Sequence, residues 1–271
     1  ETNNPEDNST NIDQAIRNGF TTIISLSYLQ AEELENAAKD NPKLKFALVD
    51  GEITGKKNIS SATFKDQESA YLAGLAAAYT TKSDQVGFIG GMEGPVIQRF
   101  QSGFEAGVKA GATALNKEIT VNVQYAASYD SLDKGKAIAA SMYKEGVDIL
   151  YQAAGSTGAG VFQEAKARNE NDYSRKVWVI GVDRDQADEG DYKMENGETG
   201  NFTLTSTKKN VGAEVKEFAE TSHNDKFPGG KHLTFGLKEE GVDLTKGQLS
   251  EEAYQAVSDA KEKIISGDFR L

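Results

Sequence analysis

The stretch VWVIGVDRDQ, residues 177–186, carries six almost wholly apolar residues into two aspartates, Asp183 and Asp185, with Arg184 between them. A strand that ends in carboxylates admits four chemistries: acid–base catalysis, metal ligation, a solvated strand end, or acceptance of a ligand's hydroxyl groups. Asp183 and Asp185 make a poor facing pair for glycoside hydrolysis, which needs two carboxyl groups across the scissile bond. Calcium would require further oxygen ligands at EF-hand-like spacing, and the chain does not show them. Of the two histidines, His223 and His232, neither lies in HExxH or near a GxSxG elbow, and both flank the turn-forming Phe227-Pro228-Gly229-Gly230. There is no cysteine, which removes thiolate ligands, disulfides and cysteine nucleophiles together.

Glycine-rich loops are the next candidates. QAAGSTGAGVFQEAK has the order G-x-x-G-x-G, not the dinucleotide order G-x-G-x-x-G, and IGGMEG (89–94) lacks the three-glycine fingerprint. Neither holds a P-loop lysine, so these glycines read as close helix–strand packing. Acceptors fit better. Asp66, Asp183 and Asp185 all follow strand candidates, and a carboxylate takes two donors at once in hydrogen bonds about twice as strong as neutral ones. A sugar-like or nucleoside-like ligand suits that set. Tyr151, closing VDILY, reads equally as a core aromatic or as a ring stacked on a planar ligand.

The elements that must position these residues alternate along the chain. Strand candidates are 21–27, 44–50, 58–64, 85–90, 119–126, 147–152, 176–182, 201–206 and 232–237. Amphipathic helical stretches such as AEELENAAKD, DQESAYLAGLAAAYTT and SLDKGKAIAASMYKEG lie between them. Apolar strands separated by helices predict parallel sheets covered on both faces, with ligands beyond the carboxyl ends of the strands. Asp66 and Ser131 are expected helix N-caps. Two doubly wound lobes follow, with a hinge at MEGP (92–95) and a second crossing near Ser206–Lys209. The expected N-terminal lobe is 1–93 plus about 208–230, the C-terminal lobe 94–207 plus about 231–271, with the ligand cleft between them.

Composition narrows the partners. Lys+Arg 30 against Asp+Glu 42 leaves a formal charge of -12 over 271 residues. An acidic surface argues against nucleic acid and anionic membranes as partners, and no helix-turn-helix pattern marks a transcription regulator. No run of about 18 apolar residues exists to span a bilayer.

Longer motifs carry a resemblance. SATFKDQESAYLAGLAAA, VGFIGGMEGPVIQRFQSGFEAGVKAG, DILYQAAGSTGAGVFQEA, VWVIGVDRDQ and LTSTKKNVG stand in the order found in the basic membrane protein family, from about Asn11 to Phe269. The chain resembles the PnrA-like purine-nucleoside-binding lipoproteins of ABC importers. The resemblance implies a type I periplasmic-binding-protein fold, no catalysis and no cofactor, and a monomer that delivers purine nucleosides to a membrane permease. Position by position, Asp183 matches the aspartate that takes the ribose hydroxyls, Lys209 a lysine that assists it, and Tyr151 the aromatic against the purine. Gly155 and Ser156 match the loop over the ribose, although Ser156 stands where family members often have glycine. Asp66 matches a contact from the N-terminal lobe, with Asp50 as the competing acid. Asp185 is then a solvated or structural neighbour, with Arg184 as its partner. The family also carries a signal sequence, a lipid-bearing cysteine, and a first strand and helix with an Asp-Asp-x-Ser-Phe-Asn segment, all expected to precede Glu1. A sugar-binding receptor of the same fold, or a nucleoside hydrolase using the same aspartates, is the rival reading.

Overall fold

A computed structural model describes residues 7–171 and 175–271. Contacts divide the chain into two units, one comprising the chain up to Lys65 with Asn210–Gly241, the other Asp66–Lys209 with Val242–Leu271. In chain order, the first unit takes α1 (Asp7–Arg17), β1 (Thr22–Ser25), α2 (Ala31–Asp40), β2 (Lys45–Val49) and β3 (Ile59–Phe64). The second then takes α3 (Asp66–Thr80), β4 (Gln85–Gly90), α4 (Pro95–Leu115), β5 (Thr120–Tyr125), α5 (Leu132–Lys144) and β6 (Ile149–Ala153). It continues with α6 (Gly158–Asn171), β7 (Trp178–Gly181), β8 (Asp191–Lys193), β9 (Thr199–Asn201) and β10 (Thr203–Lys209). The chain returns to the first unit for α7 (Val211–His223) and β11 (His232–Phe235), and closes in the second with β12 (Val242–Leu244) and α8 (Glu251–Ser266).

In the first unit, four parallel strands stand in the order β1-β2-β3-β11. Phe46 and Leu48 of β2 point to one face, where Ile12 of α1 and Leu34, Ala37 and Ala38 of α2 cover them. The i, i+3, i+4 spacing of those α2 residues makes the apolar stripe that a one-sided helix needs. α7 lies on the opposite face and runs antiparallel to the strands. Its Ser222 bonds Thr22 at the start of β1, and Lys45 Nζ at the start of β2 donates to the Ser222 carbonyl at 2.9 Å.

The second unit holds a six-stranded sheet in the order β12-β10-β7-β6-β4-β5, parallel except for the β10–β12 pair. Every residue of β6 is buried, the signature of a strand covered on both faces. Leu150 packs with Met142, Tyr143, Val161 and Val179 beneath α5 and α6. Tyr151, the next residue, points the other way toward Phe100 and Phe104 of α4. α3 and α4 touch backbone to backbone. A Cβ on Gly107 would sit 2.0 Å from the Tyr71 carbonyl oxygen, one on Gly74 2.2 Å from that of Phe104, and one on Gly103 2.4 Å from that of Gln67. Only glycine permits that approach, and it brings the first turn of α3 against the second and third turns of α4, where Arg99 and Gly103 lie.

Two expected boundaries move. β4 pairs with β5 and β6 in the six-stranded sheet, so it does not belong to the first unit, and the chain crosses at Lys65/Asp66 rather than at MEGP. MEGP instead leads into α4, with Pro95 at its first turn, where a missing N–H costs nothing. β11, expected in the C-terminal lobe, pairs with β3 in the first unit. The return crossing falls at Lys209/Asn210, beside the expected Ser206–Lys209. Three short strands, β8, β9 and β12, had no apolar run to announce them.

Candidate ligand-binding site

The site is built at the carboxyl ends of β6, β7 and β10, which are neighbours in the six-stranded sheet. β7 stops at Gly181, and Asp183 takes a left-handed backbone with φ of 67°. That conformation costs an ordinary L-residue roughly 1–2 kcal/mol, and Asp tolerates it better than most. The N–H of Lys209, last residue of β10, donates to the Asp183 carbonyl at 2.9 Å and pins the turn. The Asp183 side chain is 60 % exposed, whereas that of Lys209 is only 5 % exposed.

Lys209 is the hub of a charge cluster. Its Nζ lies 3.0 Å from Asp66 Oδ1, 4.0 Å from Asp183 Oδ1, and 5.0 Å from the centre of the Phe100 ring. Arg99 occupies the other oxygen of Asp66, with Nη2 at 3.0 Å and Nε at 3.2 Å from Oδ2. Asp66 is completely buried between the two cations. A buried carboxylate keeps its charge only when paired and hydrogen-bonded, and two cations supply that. The cluster of Asp66, Asp183, Arg99 and Lys209 is formally neutral, and Asp183 is its exposed member.

Gly155 and Ser156 are exposed in a short 3-10 turn, Gly155–Thr157, that opens α6. Gly155 has φ of 56°, a backbone that favours glycine. The turn is anchored by Thr157, whose N–H donates to the Tyr129 carbonyl at 3.0 Å and whose hydroxyl donates to that of Ser128 at 3.2 Å. Ser131 precedes α5 as expected, but its side chain makes no capping bond; its N–H donates to the Thr157 hydroxyl.

Three assignments change. Tyr151 has no exposed surface, and its ring is enclosed by Phe88, Phe100 and Phe104 at centroid distances of 5.2–6.3 Å. Thr207 spends its proton on the Gly181 carbonyl, so the Tyr151 hydroxyl donates to Thr207 at 2.9 Å. Burial, reinforced by the nearby carboxylates of Asp183 and Asp66, pushes this phenol well above its usual range. Tyr151 is a core ring and offers no face to a ligand. Asp66 opens α3 in the second unit rather than reaching in from the first, and its oxygens are engaged by Arg99 and Lys209. Asp185 does not pair with the Arg184 guanidinium through its carboxylate; it accepts from the Ala187 N–H at 3.0 Å, while Arg184 bonds Glu189 and approaches Asp188.

Asp50, the competing acid, follows β2 in the first unit with φ of 63°. Arg99 and Phe100 were not singled out in advance. The signal that points to Arg99 is the buried Asp66 itself, because a fully buried aspartate demands a cation. His232 lies between Ser61 and Thr63, each 2.9 Å from a ring nitrogen, and Ser61 donates to the Ile53 carbonyl. No nucleophile–base–acid chain includes it. Among the described residues no group of three or more His, Asp or Glu could hold a metal.

A two-unit α/β fold that presents a solvent-facing carboxylate, backed by a buried cation, at its strand ends is the architecture of solute-binding proteins. The chain belongs to the Bmp family, described as ABC transporter substrate-binding protein PnrA-like, which it matches over residues 1–270. It is thus a binding protein and not an enzyme. It is 46% identical over 268 residues to the ABC transporter nucleoside-binding protein BmpA of Lactococcus lactis, covering 98% of this chain and 75% of that one. It is 43% identical over 267 residues to the CD4+ T-cell-stimulating antigen of Listeria monocytogenes, covering 98% and 74%. Among solved structures, an ABC transporter solute-binding protein from Aeropyrum pernix K1 superposes with a TM-score of 0.85 at 25% identity, covering 99% of this chain and 82% of that one. A glucose-galactose binding protein from Geobacillus stearothermophilus shares the fold at a TM-score of 0.63 and 15% identity, covering 90% and 83%.

Proposed function

We propose that this chain captures a purine nucleoside and delivers it to a membrane permease, with Asp183 accepting the ribose hydroxyls. The observation that carries this reading is the asymmetry of the cluster. Of its two carboxylates, only Asp183 is exposed, and Lys209 stands 4.0 Å behind it. A carboxylate held in one orientation accepts both hydroxyls of a vicinal diol, while the ammonium behind it attracts one oxygen and limits its rotation. Gly155 and Ser156 supply a second exposed rim on the neighbouring strand end. Asp66 holds Lys209 and Arg99 rather than touching the ligand. The nucleoside half of the ligand rests on the Lactococcus relative, whose name states nucleoside binding. The same reading has the protein act outside the cytoplasm, as a lipid-anchored monomer; no helix among the described residues is long and apolar enough to cross a membrane.

Isothermal titration with adenosine, guanosine, inosine, cytidine, ribose and galactose tests the proposal, repeated on Asp183→Ala. Hydrogen bonds to a charged group contribute about 1.5–3 kcal/mol, so the variant is expected to bind purine nucleosides roughly 10–150-fold more weakly. Purine nucleosides should outcompete cytidine and both sugars. Binding of galactose in preference to any nucleoside would overturn the nucleoside assignment in favour of a sugar receptor. Release of free base during incubation would overturn the receptor reading altogether.

A further inference from the structure

The loop that presents Asp183 is held by a side chain that touches no ligand candidate directly. Gln186 reaches back across its own turn, and its Oε1 accepts from the Val182 N–H at 2.8 Å. The same oxygen accepts from Gln152 Nε2 at 2.9 Å. Its Nε2 donates to Glu189 Oε1 at 3.0 Å, and its backbone N–H donates to Ser206 Oγ at 3.1 Å. The backbone N–H of Val182 can only donate, so the amide orientation follows from the network. Gln152 is 1 % exposed and stands two residues before Ala154-Gly155-Ser156.

The surroundings are shaped around these two glutamines. A Cβ on Gly158 would lie 2.1 Å from Gln152 Oε1, and one on Gly181 would lie 3.0 Å from Gln186 Cβ and 2.5 Å from Ser206 Oγ. Small residues on both sides leave room for an amide pair that ties the end of β6 to the end of β7. The left-handed Asp183 sits inside the Val182–Gln186 bond, so its unfavourable backbone is spanned from both flanks. Lys209 N–H pins its carbonyl, and Gln186 closes the turn.

We propose that Gln186 is a positioning residue for sugar recognition, holding Asp183 in its left-handed turn and fixing it in register with the Gly155–Ser156 loop through Gln152. The proposal rests on the role given to Asp183 above. An aspartate aimed by such a brace accepts a ribose diol in one geometry, whereas a released loop samples several and pays ordering entropy on binding.

The test compares adenosine with 2′-deoxyadenosine and 3′-deoxyadenosine by calorimetry, because each analogue lacks one of the two hydroxyls given to Asp183. Wild-type protein should prefer adenosine over a deoxy analogue by about tenfold or more, the worth of one charged hydrogen bond. Gln186→Leu fills the space without an acceptor and should cut that preference to about threefold or less, with adenosine affinity down by roughly tenfold. Gln186→Glu combined with Glu189→Gln keeps the acceptor toward Val182 and Gln152 and a donor–acceptor pair at position 189 without setting two carboxylates 3.0 Å apart, and should retain most of the preference. In an Asp183→Ala background, Gln186→Leu should change affinity little, which a general loss of stability would not reproduce. If Gln186→Leu fails to fold, Gln152→Leu removes the bond between the loops together with the long one from the Ala154 N–H at 3.4 Å, leaves Gln186 on Val182, and should lower the preference in smaller measure. Full discrimination in Gln186→Leu, or in Gln152→Leu where only that variant folds, would overturn the proposal. Equal binding of all three ligands by wild-type protein would instead overturn the reading of Asp183 and this proposal with it.

Discussion

Of the carboxylates buried in the first turns of helices, the molecule treats two, Asp66 and Glu214, oppositely. Asp66 opens α3 and is met by Arg99 on one oxygen and Lys209 on the other. Glu214, in the first turn of α7 in the first unit, is 5 % exposed, and its Oε2 has no hydrogen-bond partner. Burial, followed by the charge of Glu217, raises the Glu214 carboxyl from its ordinary 4.5 to about 7. Both sit where a helix dipole favours an anion, so the difference lies in what faces them. Cations or several hydrogen-bond donors let a carboxylate stay charged when buried; with neither, burial favours the protonated form. The second unit can therefore use its buried acid as a fixed electrostatic anchor, and the first cannot.

The largest effect is expected where the comparison is broken outright. Asp66→Ala leaves Arg99 and Lys209 confronting each other without their carboxylate. Breaking a buried pair in this way costs about 3–5 kcal/mol, measurable as a drop in the urea midpoint at constant slope. A loss below about 1 kcal/mol would put the cluster among exposed, nearly neutral ion pairs. Lys209→Met comes next. It keeps the hydrophobic stem beside Phe100 and leaves Arg99 on Asp66, so stability should fall by about 3 kcal/mol, the low end of the same range. Nucleoside affinity should fall with it, because Asp183 loses its backing charge.

A smaller loss separates a core ring from a ligand contact. Tyr151→Phe removes a buried donor to Thr207 and should cost about 1 kcal/mol, with nucleoside affinity unchanged by calorimetry. A fall in affinity would return Tyr151 to the site. Glu214→Gln should act least at low pH and sharpen the contrast as pH rises. The folded-state value of this acid lies above its unfolded one, so the wild-type chain binds more protons folded than unfolded. Stability present below the unfolded value of 4.5 is lost progressively as pH rises to about 7. Thermal midpoints of Glu214→Gln and wild type should therefore converge near pH 4 and separate at pH 8, with the variant higher. Midpoints that ran parallel over that range would show that Glu214 ionises in the folded chain as it does in the unfolded one.

Much of the fold was legible because period and composition are local. Runs such as KFALV and ILYQA are apolar on both faces, and each became a covered parallel strand. α2 was readable to the residue, since Leu34, Ala37 and Ala38 repeat at helical spacing. The unit boundaries were less legible. β4 and β11 look like any other strand in sequence, and which sheet each joins depends on partners that the local pattern does not name. Within the site, Asp183 stood out because a charged residue ends an apolar run, and Lys209 was found through family likeness. Arg99 and Phe100 carry no such mark in the helical sequence PVIQRF.

The sequence by itself determined which segments are strands and helices, that the chain is a PnrA-like binding protein, and that Asp183 leaves the core at a strand end. Only the tertiary structure decided that Tyr151 is enclosed, that Asp66 is an anchor for two cations, that Glu214 has none, and that Gln186 braces the Asp183 turn. The reason is one of range. Hydrophobic period is written in neighbouring residues, but the charge state and orientation of a buried polar group are set by what meets it. For Asp66 those partners arrive from α4 and β10, brought together by a glycine contact between helices and by strand order in a sheet.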